Sequence, residues 1–207
     1  MRKFAMLVVA LAALVPATSN AQVSLGLRLG FAPAMGDAVK DGKMSDGVKS
    51  QIPIQLDALY KVAPNLGVGG YFSYGIGQLG GELADICDAS DADCSARGMR
   101  AGLQLQYALA PMGAWMPWGG VGAGYEWGTM KMGEGSVSYR GFELVNLQLG
   151  GDYKVSEQLS VGPYVLFSLG QYSNATIDDG VDSVSDSIDE KGIHEWFGFG
   201  FRGTFSL

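Results

Sequence analysis

Residues 195–207, EWFGFGFRGTFSL, decide how the end of this chain folds. Large apolar side chains occupy alternate positions of this segment, at Phe197, Phe199, Phe201, Phe205 and Leu207. The positions between them carry small, polar or charged side chains, including Arg202. Because alternate side chains of a β-strand point to opposite faces, the segment predicts a strand with one apolar and one polar face. A soluble β-sandwich and a membrane β-barrel both contain such strands, and they differ in which face lies outside.

The rest of the chain favours the barrel. The same alternation recurs in seven further segments, at residues 22–31, 51–62, 66–77, 98–109, 115–127, 142–155 and 159–170. Most are longer than the roughly 5–6 residues of a common globular strand and suit the roughly 9–11 residues of a tilted membrane strand. The connections alternate between short ones at 63–65, 110–114 and 156–158 and long ones at 33–50, 78–97, 128–140 and 173–192. Together these features predict an all-β fold, an eight-stranded antiparallel up-and-down transmembrane β-barrel.

With this strand pattern and its C-terminal segment, the sequence resembles the small eight-stranded outer-membrane barrels of the OmpA, OmpX and OmpW kind. The resemblance covers residues 22–207 and implies an integral outer-membrane protein in contact with membrane lipid and lipopolysaccharide, with both termini periplasmic. It also implies that Phe199, Phe201, Phe205 and Leu207 form the signal that the barrel-assembly machinery reads. Such proteins usually end in Phe or Trp, whereas this chain ends in Leu207.

The N-terminus predicts export. Arg2 and Lys3 precede an apolar run at residues 4–15, and the small residues Ser19 and Ala21 follow. This pattern predicts a signal peptide at 1–21 and a barrel at 22–207, because the apolar run is too short to cross a hydrocarbon core of about 30 Å as a helix. Loss of Arg2 and Lys3 would take the net charge from −7 to −9, which argues against nucleic acid as a partner.

Charged residues in the polar rows predict an ion-pair network inside the barrel. Equal distances from the strand ends place Arg28, Asp57 and Arg202 close together, and Arg100 beside Glu126. Lys61 and Asp152 belong to the same inward rows. Large inward side chains are also expected to fill the interior, at Trp118, Phe142, Leu144, Tyr164 and Trp196.

These lumen charges have two interpretations. They could form a constriction that selects solutes, which would make the protein a narrow channel. They could instead plug the barrel, because eight strands leave an interior just wide enough for side chains and buried charges need partners. We favour the plug, and with it a structural or surface-interaction role carried by four long extracellular loops.

Other features are less specific. Cys87 and Cys94 predict a disulfide in an exported chain, and half a zinc site is the weaker interpretation. The acidic segments 82–93 and 178–190 predict solvated loops that could contact an extracellular partner. Their carboxylates could also bind divalent cations, although neither segment matches the motif of a calcium-binding loop. His194 is the only histidine and is expected to be a polar rim residue, because no nucleophile pattern accompanies it. We therefore predict no enzyme, cofactor or metal site.

Overall fold

The computed structural model describes residues 23–40, 42–90, 93–110 and 112–207. The predicted signal peptide lies outside these residues. The elements in chain order are β1 (Val23–Val39), β2 (Gly42–Lys43), α1 (Met44–Gly47), β3 (Val48–Ala63), β4 (Leu66–Leu79), α2 (Gly81–Ser90), β5 (Cys94–Ala108), β6 (Trp115–Met132), β7 (Gly135–Lys154), β8 (Leu159–Asp178), β9 (Ser183–Ser187) and β10 (His194–Ser206). Within the described ranges, no helix is both long and apolar enough to cross a bilayer.

Eight of the strands close into a ring. The order is β1–β3–β4–β5–β6–β7–β8–β10, and β10 pairs with β1 to complete it. Every pairing in the ring is antiparallel. The two remaining strands extend one end, where β2 pairs with β1 and β9 pairs with β8. The predicted eight-stranded up-and-down barrel is therefore confirmed.

Polarity in this barrel is inverted relative to a soluble protein. The apolar rows point outward, and Leu103, Phe201 and Leu149 are 74%, 70% and 62% exposed. Arg28, in a polar row, is 0% exposed. An apolar outer surface around a polar interior is the arrangement of a transmembrane β-barrel, because the outer surface faces lipid.

The two ends of the barrel differ. At one end, here called the turn rim, the strand ends Val23 and Ser206 lie at the same end as the connections at 64–65, 109–110, 112–114 and 155–158. At the other end, the extended rim, strands continue beyond the lengths that the sequence predicts. The predicted long loop at 128–140 is wrong, because β6 and β7 extend to a two-residue turn in which Gly133 has a φ of 57°.

Outward aromatic side chains mark both ends of the apolar band. Trp115 and Tyr153 pack together near the turn rim, with ring centroids 5.5 Å apart. Tyr125 and Trp127 pack at 4.9 Å toward the extended rim. Tyrosine and tryptophan prefer the two interfaces of a membrane, where an apolar ring and a polar tip are both accommodated. The bilayer core therefore lies between these two pairs.

A bulge in β7 changes which residues face the lumen. The pairing of β7 with β8 shifts register between Glu143 and Val145. As a result Glu143 and Asn146 both point inward, while Phe142 and Leu144 are 58% and 50% exposed. The prediction that Phe142 and Leu144 fill the lumen is therefore wrong, because it assumed unbroken alternation.

Candidate functional site: the charged lumen

The first layer of lumen charges lies toward the turn rim and centres on Arg28. Its Nε donates to Asp57 Oδ2 at 2.5 Å, and its Nη1 donates to Gln148 Oε1 at 2.7 Å. The second Asp57 oxygen accepts from Gln55 and Gln104, each at 2.9 Å. The predicted proximity of Arg28 to Asp57 is thus a direct, fully buried ion pair.

Arg202 belongs to the same layer but has a different partner. Its Nε donates to Asp152 Oδ1 at 2.9 Å, and its Nη2 donates to Asp152 Oδ2 at 2.6 Å. Trp118 Nε1 donates to Asp152 Oδ1 at 3.0 Å, and the Arg202 guanidinium lies 3.5 Å from the Trp118 ring centroid. The Arg28 guanidinium lies 5.3 Å from the same ring. Trp118 therefore joins the two ion pairs into one packed layer through cation–π contacts.

A second layer lies toward the extended rim and contains Arg100. Its Nη1 lies 3.2 Å from Glu143 Oε1 and 3.2 Å from Ser168 Oγ. Glu143 also accepts a hydrogen bond from the Tyr71 hydroxyl. Arg100 and Glu126 face each other across β5 and β6, as the sequence predicts, but the ion pair of Arg100 goes to Glu143. Sequence reasoning missed Glu143 because the β7 bulge brings it inward.

Glu126 has its own set of partners in this second layer. His194 Nε2 lies 2.9 Å from its Oε1, and the same oxygen accepts from the Tyr172 hydroxyl at 2.7 Å and Trp196 Nε1 at 3.4 Å. Within the described residues, Glu126 Oε2 and His194 Nδ1 have no hydrogen-bond partner. The two oxygens of this carboxylate are therefore in different environments.

Three amide side chains connect the two layers. Gln148 Nε2 donates to Gln104 Oε1 at 3.0 Å and to Asn146 Oδ1 at 2.9 Å. Asn146 Nδ2 in turn donates to Glu143 Oε1 at 3.2 Å. Together with the hydrogen bond from Gln104 to Asp57, these contacts form a continuous series of side-chain hydrogen bonds from one layer to the other. The polar rows contain these amides, but spacing alone did not mark them as part of the site.

Two sequence predictions need correction. Lys61 is exposed near the turn rim, and it takes part in none of the ion pairs found among the described residues, so it does not belong to the network. It lies four residues beyond Asp57 toward the strand end, where its long side chain reaches water. His194 is not a rim residue: it is 0% exposed and stacks on Tyr172 with centroids 4.1 Å apart. Gly170 makes this possible, because a Cβ there would overlap the imidazole.

Beyond the second layer the lumen opens into a cavity of about 150 Å³, which we call the vestibule. All eight ring strands contribute to it. Apolar groups dominate its walls, including Ala38, Val48, Met130 and Tyr139, and Arg100 and Glu126 lie at its floor. Helix α1 covers part of the mouth, since a Cβ on Gly47 would lie 2.8 Å from Met130 Sδ on the opposite wall.

The predicted disulfide is present and connects Cys87 of α2 to Cys94 at the start of β5. It therefore ties the helix between β4 and β5 to the first residue of β5. The second acidic segment contains a turn in which Asp179 Oδ1 accepts backbone N–H bonds from Val181 and Asp182, and these bonds lower the pKa of that carboxyl. Among the described residues, no group of three or more His, Cys, Asp and Glu side chains is placed to hold a metal ion.

Known structures share this architecture. No protein-family model and no curated protein matches the sequence. Neisserial surface protein A superposes with a TM-score of 0.54 at 9% identity, over 89% of this chain and 97% of that one. A major outer membrane protein of Thermus thermophilus superposes with a TM-score of 0.53 at 16% identity, over 90% and 98%. The chain has the fold of the small outer-membrane β-barrels.

Proposed function

We propose that this protein is a non-conducting barrel of the outer membrane whose role is carried by its extended rim. The observation that carries the proposal is the side-chain network across the lumen. Arg28 is 0% exposed and Arg202 is 5% exposed, and each is bound to a carboxylate. Trp118 fills the space between the two arginines. An ion would have to displace these pairs, which are costly to break once they are buried.

The extended rim is the surface on which an external partner would act. It carries α1, α2 and β9 together with the continued strands, and the acidic residues of 178–190 are exposed or partly exposed there. The short connections and both described strand ends lie at the other rim. Outer-membrane barrels have short periplasmic turns and longer extracellular segments, which supports an extracellular extended rim.

A basic surface supports contact with lipopolysaccharide. At and beyond the level of Trp127 the outward rows change from apolar to hydroxyl-rich and basic, and they carry Arg97, Lys131 and Arg140 on the neighbouring strands β5, β6 and β7. Arg140 is paired with Trp127, and Arg97 and Lys131 lie farther toward the extended rim, so the three cations are near the height expected for lipid headgroups. We infer that they bind the phosphate groups of the outer leaflet, because Arg and Lys are the usual partners of phosphate.

The last strand supports recognition by the barrel-assembly machinery. Phe199, Phe201, Phe205 and Leu207 are all exposed on its outer face. β10 is also the strand that closes the ring against β1. An assembly factor could bind the apolar outer face of β10 before this strand pairs with β1 and closes the ring.

The geometry of His194 supports a structural role rather than catalysis. Its Nε2 is engaged with Glu126 and its ring is fully buried against Tyr172. Among the hydrogen bonds found in the described residues, none joins the imidazole to a serine, threonine or tyrosine hydroxyl that it could activate. We therefore assign no enzymatic activity to this site.

A conduit for small solutes is the second candidate, and the vestibule is the observation that favours it. Planar-bilayer recording separates the two. We expect no stable current steps from the purified protein in 1 M salt at about 100 mV. Regular steps in the wild type would support the conduit and contradict the plug.

A charge-removal variant tests the surface role independently. Arg97→Ser, Lys131→Ser and Arg140→Ser together should reduce the lipopolysaccharide that copurifies with the protein. A control that changes Lys61 and Lys154 to serine removes basic charge from the turn rim instead. Equal retention in both variants would contradict the proposed contact.

A further inference from the structure

The vestibule contains a buried acceptor to which none of the described residues donates a hydrogen bond. Glu126 lines its floor and is 3% exposed, and its Oε1 takes the bonds from His194, Tyr172 and Trp196. Within the described part of the chain, its Oε2 has no donor. An ionised carboxylate oxygen out of contact with water and without a donor is costly, so a ligand or water that donates to it is expected to bind there.

Charge at the vestibule floor indicates what kind of donor fits. Arg100 is within 3.2 Å of Glu143 and balances that carboxylate. His194 Nε2 is already engaged with Glu126 Oε1. Among the described residues, Glu126 Oε2 is therefore the carboxylate oxygen at the floor that still lacks a donor. A protonated amine would supply that donor together with a positive charge, which makes the hydrogen bond stronger than a neutral one.

The walls indicate the body of the ligand. Ala38, Val48, Met130 and Tyr139 surround the space above Glu126. An apolar cavity of about 150 Å³ is known to accept a benzene-sized molecule. Lys43 and Arg97 also border the cavity, but Arg97 belongs to an outward row and both residues are exposed. Water and salt therefore screen their charge more than that of Glu126.

We propose that the vestibule binds a small molecule with an apolar body and a protonated amino group, and that the amino group donates to Glu126 Oε2. The body of this ligand occupies the apolar space under α1. The site is closed at its floor, because the Arg28 and Arg202 layer lies below it. The proposal goes beyond the surface role above and does not depend on it.

Calorimetric titration of the full mature chain in lipid nanodiscs tests the site. The probe is 2-phenylethylamine at pH 7, where its amino group is protonated, and empty nanodiscs correct for partition into lipid. Two molecules of similar size serve as comparisons: 2-phenylethanol, which donates without charge, and 3-phenylpropanoate, which is an anion. We expect the amine to bind about tenfold or more tightly than the alcohol, and the anion not to bind.

Three variants complete the test. Glu126→Gln should weaken amine binding about tenfold or more. Ala38→Phe should abolish it by filling the cavity, whereas Leu105→Phe, the same side chain on the lipid-facing surface, should leave it unchanged. Equal binding of amine and alcohol, or normal amine binding by Ala38→Phe, would overturn the proposal. Those two comparisons decide the matter even if Glu126→Gln does not fold.

Discussion

Arg28 is the residue whose burial makes the strongest demand on its neighbours. It is 0% exposed, yet a guanidinium stays charged under all ordinary conditions, so its charge must be balanced by the protein. Asp57 supplies that balance at 2.5 Å. The stability of the folded barrel therefore depends on each buried charge keeping its partner.

The first prediction follows from this pair. Asp57→Asn should lower the free energy of unfolding by roughly 3–5 kcal/mol, because it leaves the buried Arg28 without a counter-charge. Urea unfolding of the protein in lipid vesicles measures this change. Glu157→Gln, an identical substitution of charge in an exposed turn, should change stability very little. A loss that is the same in both variants would show that Arg28 does not need Asp57.

The second prediction concerns the space around Trp118. A Cβ on Gly150 would overlap the Trp118 ring and lie 2.9 Å from the Pro163 carbonyl oxygen. Gly150→Ala should therefore cost roughly 1–3 kcal/mol through overpacking. At Gly203 the nearest atom to an added Cβ is 4.0 Å away, so Gly203→Ala is the matched control and should be nearly neutral. If both variants unfold at the wild-type urea concentration, the packing of Trp118 is looser than described.

Single residues also show what the sequence could reveal. Alternation places Asp57 and Lys61 on the same face, and counting from the strand end correctly places Asp57 beside Arg28. The same rule fails for Lys61, because a side chain near the strand end can reach water instead of the lumen. His194 stands at the start of its strand, and its burial depends on Gly170 of the neighbouring strand, which no local pattern indicates.

At the scale of elements, the β7 bulge is the main departure from simple alternation. The sequence holds a signal for it, since Leu144 and Val145 are consecutive apolar residues where the phase of the pattern changes. The extended hairpin of β6 and β7 was missed for a related reason. Above Trp127 the outward rows become polar, so the rule that apolar residues mark the outer face no longer identifies the strand.

The third prediction tests the bulge. Spin labels on cysteines that replace Phe142, Leu144 and Leu147 should all collide readily with oxygen dissolved in lipid and poorly with a water-soluble nickel chelate. Without a bulge, positions 142 and 147 would face opposite sides, because their separation is odd. All three native side chains are already exposed to lipid, so the labels should not disturb folding. A label shielded from oxygen at 142 but not at 147 would contradict the shifted register.

At the scale of the whole molecule, two changes of polarity occur along the barrel axis. Through the apolar band the outside is apolar and the inside is polar, while in the extended rim the outward rows carry Arg97, Lys131 and Arg140 and the walls of the vestibule are largely apolar. The extended rim has a polar outer surface because that surface faces water rather than lipid. Its interior is apolar, as in a soluble protein, and the vestibule lies there.

The final prediction concerns the direction in which the molecule spans the membrane. A short epitope inserted after Gly133, in the turn between β6 and β7, should be bound by antibody on intact cells. The same epitope after Asn65, in the turn between β3 and β4, should be bound only after the outer membrane is permeabilised. Both sites are tight turns between paired strands, so they are equally tolerant of insertion, and each serves as the control for the other. The opposite labelling pattern would place the extended rim in the periplasm, and with it the basic surface and the mouth of the vestibule.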